Sequence, residues 1–504
     1  MSQLVVTQLS AGSALWSQVN DLLVFGAWLF FVLSLIVVCA LGLHLMVLTT
    51  VFLLHRKKGI ALQAQYAALP LPSVLPRVLI QLPTFNEPGV VERALESAAA
   101  VDWPRDRLRI QLLDDSIDGT DEIGRRKAAE LRARGIDVEV IHRTNREGFK
   151  AGALKNGLTH DDCEFVAIFD ADFIPPADVL KRTIPVLAAD ARIAYVQTRW
   201  DHINQDANLL TRAQSIMLDA HFAVEQAARN WSGLFMPFNG TGGVWRRKAI
   251  DDAGGWEGDT LTEDIDLAIR AAMKGWTTAF LPSVAIPGEL PENVPAWRQQ
   301  QFRWTKGFTQ VALKLLPQVY RSDRLTFWQK FAMTFQLFQG WAYPAGALAL
   351  FSALAAMVLT STQPWGIFFL GVFSTAFGGV SVFAMTMAGQ LQLKRRLGLR
   401  TLVSFFTMLA LNGGLTLSNT RSIWEAVRGT PSAFVRTPKG RDAELDKARP
   451  TKGHSGLGEL VLAVGATAVA IWDEAWYSPF FALTVFGLAL VGSATLTARL
   501  ARQA

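Results

Sequence analysis

The feature that most limits this fold is an uncharged apolar run from Leu22 to Leu54. A helix needs only about 20 apolar residues to cross the hydrocarbon core of a bilayer, and this run is longer. It lies some way from the N-terminus and lacks a small-residue cleavage site, so we expect a retained anchor and not a signal peptide. The run therefore predicts a membrane protein.

The remaining apolar sequence is concentrated in two further regions, 331–390 and 457–499. Half of all residues are hydrophobic and 18% are charged, yet 75–310 holds most of the acids. This distribution predicts a soluble domain between membrane segments. The net charge of +6 comes from basic residues beside the apolar runs, for example at 55–58, so we expect no nucleic-acid partner.

Basic loops give a predicted topology, because lysine and arginine collect on the cytoplasmic side of membrane spans. The stretch 55–58 places the following domain in the cytosol and the N-terminus outside. The short run 402–418 precedes eight basic residues between 421 and 452, so we interpret it as an interfacial or re-entrant helix. We expect five spans in the plasma (inner) membrane, interfacial helices, and a cytosolic C-terminus.

The soluble region alternates short apolar runs with segments of helical spacing. The strand-like runs are 77–82, 110–113 and 137–141, and the helix-like segments are 89–101 and 119–134. This alternation predicts a parallel sheet flanked by helices, with ligand-binding groups at the carboxyl ends of the strands. The polar turns 83–88 and 114–116 would then line one crevice, although either could be an ordinary strand-ending turn.

A fourth apolar run, 165–169, ends in Asp170-Ala171-Asp172. Two carboxylates one residue apart can approach one hard divalent cation, so this motif predicts Mg²⁺ or Mn²⁺ bound together with a nucleotide diphosphate. Lys150, in a Gly-Phe-Lys-Ala-Gly sequence upstream, favours that interpretation. The alternative is a pair of acids that only ends a strand.

Three later motifs carry further chemistry. The glycine-rich stretch 237–243 permits close approach of the backbone to a saccharide acceptor, or is a loop without chemistry. Thr262-Glu263-Asp264 begins a helix-like segment, where Thr262 could be the N-cap and one acid could take the proton of an attacking hydroxyl. Capping alone would also explain those acids.

The motif Gln300-x-x-Arg303-Trp304 lies just before the second apolar region. Residues three apart share a helix face, so Trp304 could stack on a sugar or base while Arg303 meets diphosphate charge. An amphipathic helix beside the membrane would use the same residue types.

In this order, the D, DxD, TED and QxxRW motifs resemble those of processive family-2 glycosyltransferases, such as the cellulose, hyaluronan and chitin synthases. The stretches 238–246, 252–256 and 263–268 are similar to the plant glucomannan and xyloglucan-backbone synthases. The resemblance is close over about 75–310 and holds in outline for the membrane segments.

The resemblance implies a GT-A (Rossmann-like) α/β domain with roles for specific residues. Donor-binding residues would be Thr84, Asn86, Glu87, Asp114, Asp115, Lys150 and Arg303, and metal ligands would be Asp170 and Asp172. Acceptor-binding residues would be Phe238, Asn239, Gly240, Thr241, Gln300 and Trp304, and the catalytic group would be Asp264 as base, with Glu263 and Thr262.

A segment beyond 418 also has a family likeness. Phe434-Val435-Arg436-Thr437-Pro438-Lys439 resembles the FxVTxK gating loop of cellulose synthases, with Arg436 where the pattern has valine. Thr437 and Lys439 are therefore expected as further nucleotide contacts.

The resulting prediction is an inverting family-2 hexosyltransferase that polymerises a β-linked polysaccharide and translocates it across the membrane. UDP-glucose and a β-glucan are favoured, and a (gluco)mannan synthase using GDP-mannose or a single-sugar lipid glycosyltransferase stays open. Expected partners are the growing polysaccharide, the bilayer and accessory subunits. The expected segments are an anchor with a basic flank (1–58), a GT-A domain (59–315), interfacial helices and two spans (316–418), a gating loop (419–455) and two spans (456–504).

Overall fold

The computed structural model describes residues 2–360, 365–432, 456–472 and 479–501. An α/β domain lies between Val78 and Gly288, with apolar helices before and after it. The predicted fold class, a GT-A-like α/β domain joined to helices that could span a membrane, is confirmed. The segment boundaries predicted above stay predictions.

The α/β domain is built on a seven-stranded sheet with the order β3-β2-β1-β4-β6-β5-β7. Its strands are β1 (Val78–Thr84), β2 (Leu108–Asp114), β3 (Val138–His142), β4 (Phe165–Ile168), β5 (Ile193–His202), β6 (Gly243–Arg246) and β7 (Thr277–Gly288). Strands β1 to β4 are mutually parallel, as predicted, so the turns after β1, β2 and β4 meet at one edge.

Strand β6 differs from the predicted all-parallel sheet, because it runs antiparallel to both β4 and β5. The chain enters β6 from the glycine-rich loop, and that loop is held at the carboxyl end of β4. The Gly242 amide donates to the Ile168 carbonyl at 2.9 Å, and the Asp170 amide donates to Thr241 Oγ1 at 2.8 Å. A strand that begins at this end must run in the opposite direction.

Helices cover both faces of the sheet. They are α2 (Val91–Ala99), α3 (Thr120–Ala133), α4 (Phe149–Leu158), α5 (Val179–Ala189), α6 (Leu209–Ala220), α7 (Ala227–Trp231), α8 (Arg247–Asp252) and α9 (Glu263–Met273). Successive residues of a strand point to opposite faces. Accordingly Val78 and Ile80 belong to one buried apolar cluster and Leu79 to another.

Helix α1 (Ser2–Ala67) connects the membrane segments to the α/β domain. At 1.5 Å per residue, a continuous helix of this length extends about 100 Å, well beyond one bilayer. Its carboxyl-terminal part contacts the domain, where Gln63 Nε2 donates to the Phe280 carbonyl at 2.8 Å. A Cβ at Gly59 would lie 2.1 Å from the Trp231 ring, so only glycine permits this packing.

The remaining helices follow β7. They are α10 (Val294–Arg321), α11 (Phe327–Phe338), α12 (Ala342–Leu359), α13 (Trp365–Gln392), α14 (Leu399–Gly414), α15 (Thr416–Val427), α16 (Leu457–Trp472) and α17 (Pro479–Leu500). Within the described ranges, three stretches are long and apolar enough to cross a membrane: Leu15–Ala67, Phe327–Leu359 and Ala482–Leu500. The pair α14 and α15 bends by 49°, as a broken span or a re-entrant loop would. The predicted total of five spans stays a prediction.

Candidate active site

A cavity of about 800 Å³ opens at the carboxyl ends of β1, β2 and β4. Asp115 follows β2 on its wall, and Asp172 follows β4. The same cavity continues between the apolar helices, where Val38 of α1, Gly346 of α12 and Val382 of α13 line it. The strand-end site and the membrane helices therefore share one continuous space.

Most of the predicted site residues line this cavity. They are Thr84, Glu87, Asp115, Lys150, Asp170, Asp172, Phe238, Asn239, Gly240, Thr262, Glu263, Asp264, Gln300, Arg303 and Trp304. Asn86, Asp114 and Thr241 are buried and do not line it, while Thr437 and Lys439 lie outside the described residues. The structure thus brings together motifs separated by more than 200 residues of sequence.

Asp114 and Asn86 shape the turns that carry their neighbours. Asp114 Oδ2 lies 2.6 Å from His142 Nδ1, and Asn86 Oδ1 accepts a hydrogen bond from the Ile117 amide at 2.9 Å. Asn86 has a φ of 54°, in the left-handed region that asparagine tolerates better than most residues. The Asn86 contact joins the turns after β1 and β2, and the Asp114 contact joins the ends of β2 and β3.

Two arginines that the motifs did not identify lie beside the predicted donor-binding residues. Arg143 donates to both oxygens of Asp115, at 2.8 and 2.6 Å. Arg146 lies over the Phe85 ring, 3.3 Å from its centroid, a cation–π arrangement. Burial lowers the pKa of Arg146, and the nearby Asp115 carboxylate partly opposes that effect. Local spacing gives no signal for these pairs, because each partner comes from a different strand end.

Lys150 lies among the carboxylates of the DxD and TED motifs. Its Nζ is 2.5 Å from Asp170 Oδ1, 3.0 Å from the Gly240 carbonyl oxygen and 3.8 Å from Glu263 Oε1. Burial on its own would lower the pKa of Lys150, but the charges of Asp170 and Glu263 raise it above its usual value. The side chain is therefore a fixed cation at the centre of the site.

The charges around the DxD motif fit a divalent cation. Arg303 interacts electrostatically with four carboxylates of the same cavity, those of Asp170, Asp172, Glu263 and Asp264. Within this group of six side chains, Lys150 and Arg303 offset two of the four negative charges when all four carboxylates are ionised. Asp170 and Asp172 offer the oxygen ligands that Mg²⁺ and Mn²⁺ prefer.

A second carboxylate group does not fit a metal. Glu257, Asp259 and Asp266 approach one another closely, but the Lys314 amine lies between them. Its Nζ is 2.6 Å from Glu257, 2.8 Å from Asp259 and 2.8 Å from Asp266. The lysine already supplies the positive charge there, so this cluster is a structural ion-pair network.

Asp264 has the environment expected of a general base. It lies in the first turn of α9, and burial followed by the neighbouring Glu263 charge raises its pKa to about 7. Gly240 of the glycine-rich loop packs closely against this carboxylate, because an added Cβ at Gly240 would lie 3.0 Å from Asp264 Oδ2. A base with a pKa near 7 is matched to proton transfer at neutral pH.

The sequence suggested Thr262 as the N-cap of α9, but its side chain does not cap the helix. It occupies the N-cap position without a side-chain cap hydrogen bond. Its side chain instead packs against Gly307 of α10, where an added Cβ would lie 2.5 Å from Thr262 Cγ2. This close approach brings the QxxRW motif of α10 beside the TED motif, and Gln300, Arg303 and Trp304 all face the cavity.

Several cavity residues were missed by sequence analysis, among them Trp200, His202, His221, Glu225, Gln339 and Tyr343. The spacing of His221 and Glu225, four residues apart, is visible in the sequence. It does not distinguish a site from an ordinary helical ion pair.

Sequence comparison with known proteins identifies a family whose matched region contains the motifs that line the cavity. Residues 76–307 match the family described as "Glycosyltransferase like family 2". Glucomannan 4-beta-mannosyltransferase 1 of Oryza sativa subsp. japonica is 44% identical over 270 residues, which cover 53% of this chain and 52% of the relative. Glucomannan 4-beta-mannosyltransferase 9 of Arabidopsis thaliana is 42% identical over 270 residues, covering 53% and 51%. The chain spans about half the length of the curated relatives it matches.

Among solved structures, the mannosyltransferase PcManGT from Pyrobaculum calidifontis, in complex with GDP-Man and Mn²⁺, is similar. It is 22% identical, with a TM-score of 0.44, and the match covers 70% of this chain and 98% of the other. The family predicted from the motifs is confirmed by the matched sequence: this chain carries a family-2 glycosyltransferase domain across residues 76–307.

Proposed function

We propose that this chain is a membrane-bound inverting mannosyltransferase that extends a β-linked mannan or glucomannan from GDP-mannose. The observation that carries the proposal is the carboxylate Asp264, with its pKa near 7, in one cavity with the DxD pair and two cations. The relatives named above are mannosyltransferases, which favours GDP-mannose over the UDP-glucose preferred from sequence. A mannan or glucomannan likewise replaces the β-glucan as the favoured product.

The donor would lie between the turns after β1, β2 and β4. Thr84, Glu87 and Asp115 would hold the nucleoside, and Lys150 and Arg303 would bind diphosphate oxygens. Asp170 and Asp172 would hold Mg²⁺ or Mn²⁺, which would offset the charge of the departing diphosphate. These contacts would place the anomeric carbon toward Asp264.

The transfer is a single displacement. Asp264 accepts the proton of an acceptor hydroxyl as that oxygen bonds to the anomeric carbon of mannose. The bond from this carbon to the diphosphate oxygen breaks, and GDP leaves with the electron pair. Because the acceptor attacks opposite the leaving group, the α-linked sugar of the donor becomes a β-linkage.

The acceptor would approach from the side of α10 and the glycine loop, onto Phe238, Asn239, Gln300 and Trp304. From there the cavity leads between the apolar helices, a route by which a polymer could leave the site. With the domain in the cytosol, the product would then cross toward the outside. The basic residues at 55–58 and between 421 and 452 support this topology.

A second candidate function is transfer of mannose to a lipid acceptor. The membrane half of the cavity is lined largely by apolar side chains, including Leu35, Val38, Ala353 and Met357. Such a wall would suit an alkyl chain better than a hydrated glycan. The product distinguishes the two functions.

The test uses the full chain in lipid nanodiscs with Mn²⁺ or Mg²⁺ and labelled GDP-mannose, UDP-glucose or UDP-N-acetylglucosamine. We expect incorporation from GDP-mannose only, abolished by EDTA and by Asp264→Asn, into a polymer that an endo-β-1,4-mannanase degrades. Label that enters the organic phase as a short glycolipid would support the second function. Incorporation from UDP-glucose alone would contradict the mannosyltransferase proposal.

A further inference from the structure

One helical segment beside the active site contains a π-helical stretch. It runs from His221 to Gln226, between α6 and α7. Single turns of π-helix inside α-helices occur frequently at functional sites. Here the stretch presents His221 and Glu225 to the cavity, although neither belongs to a motif used above.

The Glu225 carboxylate is held from three sides. Its Oε1 accepts hydrogen bonds from Arg229 Nη2 at 2.9 Å and from Gln339 Nε2 at 3.1 Å, and its Oε2 lies 2.9 Å from His221 Nδ1. Burial alone would raise the pKa of Glu225, but the charges of Arg229 and His221 outweigh burial and lower it. Glu225 is therefore a carboxylate, and His221 Nδ1 carries a proton that it donates.

The other ring nitrogen of His221 faces the glycine loop. Its Nε2 lies 3.1 Å from Asn239 Oδ1, within hydrogen-bond distance. This contact fixes the orientation of the Asn239 amide. The Nδ2 of that amide is buried and has no hydrogen-bond partner among the described residues. Leaving a buried donor unpaired costs about 1–3 kcal/mol, so a ligand oxygen there would be favoured.

The position of Asn239 indicates which ligand would supply that oxygen. The next residue, Gly240, lies against the Asp264 carboxylate. Gln339, in the segment between α11 and α12, donates to Glu225 of this network. Asn239 Nδ2 therefore lies between the catalytic base and the membrane helices, on the acceptor side.

We propose that His221, held by Glu225, is a positioning residue that orients Asn239 to donate to a hydroxyl oxygen of the acceptor sugar. The inference rests on the proposed function. It adds which residues position the acceptor sugar relative to Asp264, namely His221 and Asn239. Arg229 has a structural role in this network, because it is fully buried and also donates to the Ala332 carbonyl at 3.3 Å. His221 is the end that faces the cavity, with 22% of its side chain exposed.

The experiment measures initial rates of the full chain in nanodiscs with GDP-mannose and mannotetraose as acceptor. For His221→Ala we expect the KM for mannotetraose to rise about tenfold, the loss of one hydrogen bond of 1.4 kcal/mol. The KM for GDP-mannose, the affinity for GDP and the thermal midpoint should change little. His221→Gln, which keeps an amide donor in reach of Asn239, should restore much of the acceptor affinity.

A purely structural role would give a different result. His221→Ala would then lower the thermal midpoint and change both KM values alike, or leave the acceptor KM unchanged, and either result overturns the proposal. If His221→Ala does not fold, Asn239→Asp gives the same test, because it keeps the size but removes the Nδ2 donor. If the wild type uses another sugar nucleotide, the proposed donor is wrong. The same comparison is then made with that donor and its matching oligosaccharide, so the two failures are distinguishable.

Discussion

The Nζ of Lys150 lies 2.5 Å from Asp170 Oδ1, so a divalent cation bound by Asp170 would compete with this lysine for the same carboxylate. Removing the lysine should free Asp170 for the metal. For Lys150→Met we therefore expect tighter binding of Mn²⁺ without donor, by several-fold, measured by calorimetric titration.

The same variant should be a poor enzyme. A cation that meets developing diphosphate charge contributes about 3 kcal/mol, so kcat should fall about a hundredfold. The matched control is Lys155→Met, which changes an exposed lysine on the same helix, away from the cavity. If Lys150→Met binds Mn²⁺ no better than this control, the ion pair does not compete with the metal.

Asp264 should give the enzyme a pH dependence near neutrality. Burial and the Glu263 charge raise its pKa to about 7, and a general base works only as the carboxylate. The rate should therefore rise with pH through about 7 and level off above it. Initial rates at saturating donor across pH 5.5 to 9 measure this profile.

The variant Glu263→Gln separates the two causes of that pKa. It removes the neighbouring negative charge but leaves Asp264 buried, so the pKa of Asp264 should fall and the rising limb should move to lower pH. Asp264→Asn should reduce the rate at least a thousandfold at every pH, about 4 kcal/mol at the transition state. A flat profile in the wild type, or one that Glu263→Gln does not move, would assign the proton transfer to another group.

Gly240 should tolerate no side chain. Its φ is 81°, which costs a residue with a Cβ about 1–2 kcal/mol, and the Cβ would also lie 3.0 Å from Asp264 Oδ2. We expect Gly240→Ala to lose most activity. Gly119→Ala is the matched control, since Gly119 has a φ of 85° but nothing within 4 Å of an added Cβ. Both should lower the thermal midpoint similarly, and equal activities would show that contact with Asp264 does not matter.

The sequence predicted the site to the extent that it depends on local pattern. The helix predicted at 119–134 is observed at Thr120–Ala133, and the run 165–169 contains the strand Phe165–Ile168. Because the first four strands are parallel, their polar ends meet in space wherever the chain places them. Asp115 and Asp170 follow two of these strands and line one cavity, which Asp264 of α9 also lines.

The rest depends on contacts that no local pattern records. The reversal of β6 follows from how the loop before it binds the end of β4. The pairing of Arg143 with Asp115 joins residues that follow different strands, and that of His221 with Asn239 joins a helix to a loop. Such partners are set by the packing of whole elements, and their residue types are common on any surface.

Removing the buried charge of Lys306 should destabilise the protein. It is fully buried on α10, with Nζ 3.0 Å from Glu425 Oε2 of α15 and 2.9 Å from the Thr430 carbonyl oxygen. The Glu425 carboxylate also accepts a hydrogen bond from Arg421 Nε at 2.8 Å. Among the described residues, Lys306→Met would leave that carboxylate paired with the partly exposed Arg421.

Breaking a buried ion pair from one side costs about 3–5 kcal/mol, so the thermal midpoint of the detergent-solubilised chain should fall markedly. Glu425→Gln should cost less, because its amide oxygen can still accept from Lys306. Lys274→Met, at an exposed position, is the control and should leave the midpoint unchanged. Lys306 does not line the cavity, so GDP affinity below the transition should be retained. A midpoint for Lys306→Met equal to that of Lys274→Met would show that the contact between α10 and α15 does not depend on this pair.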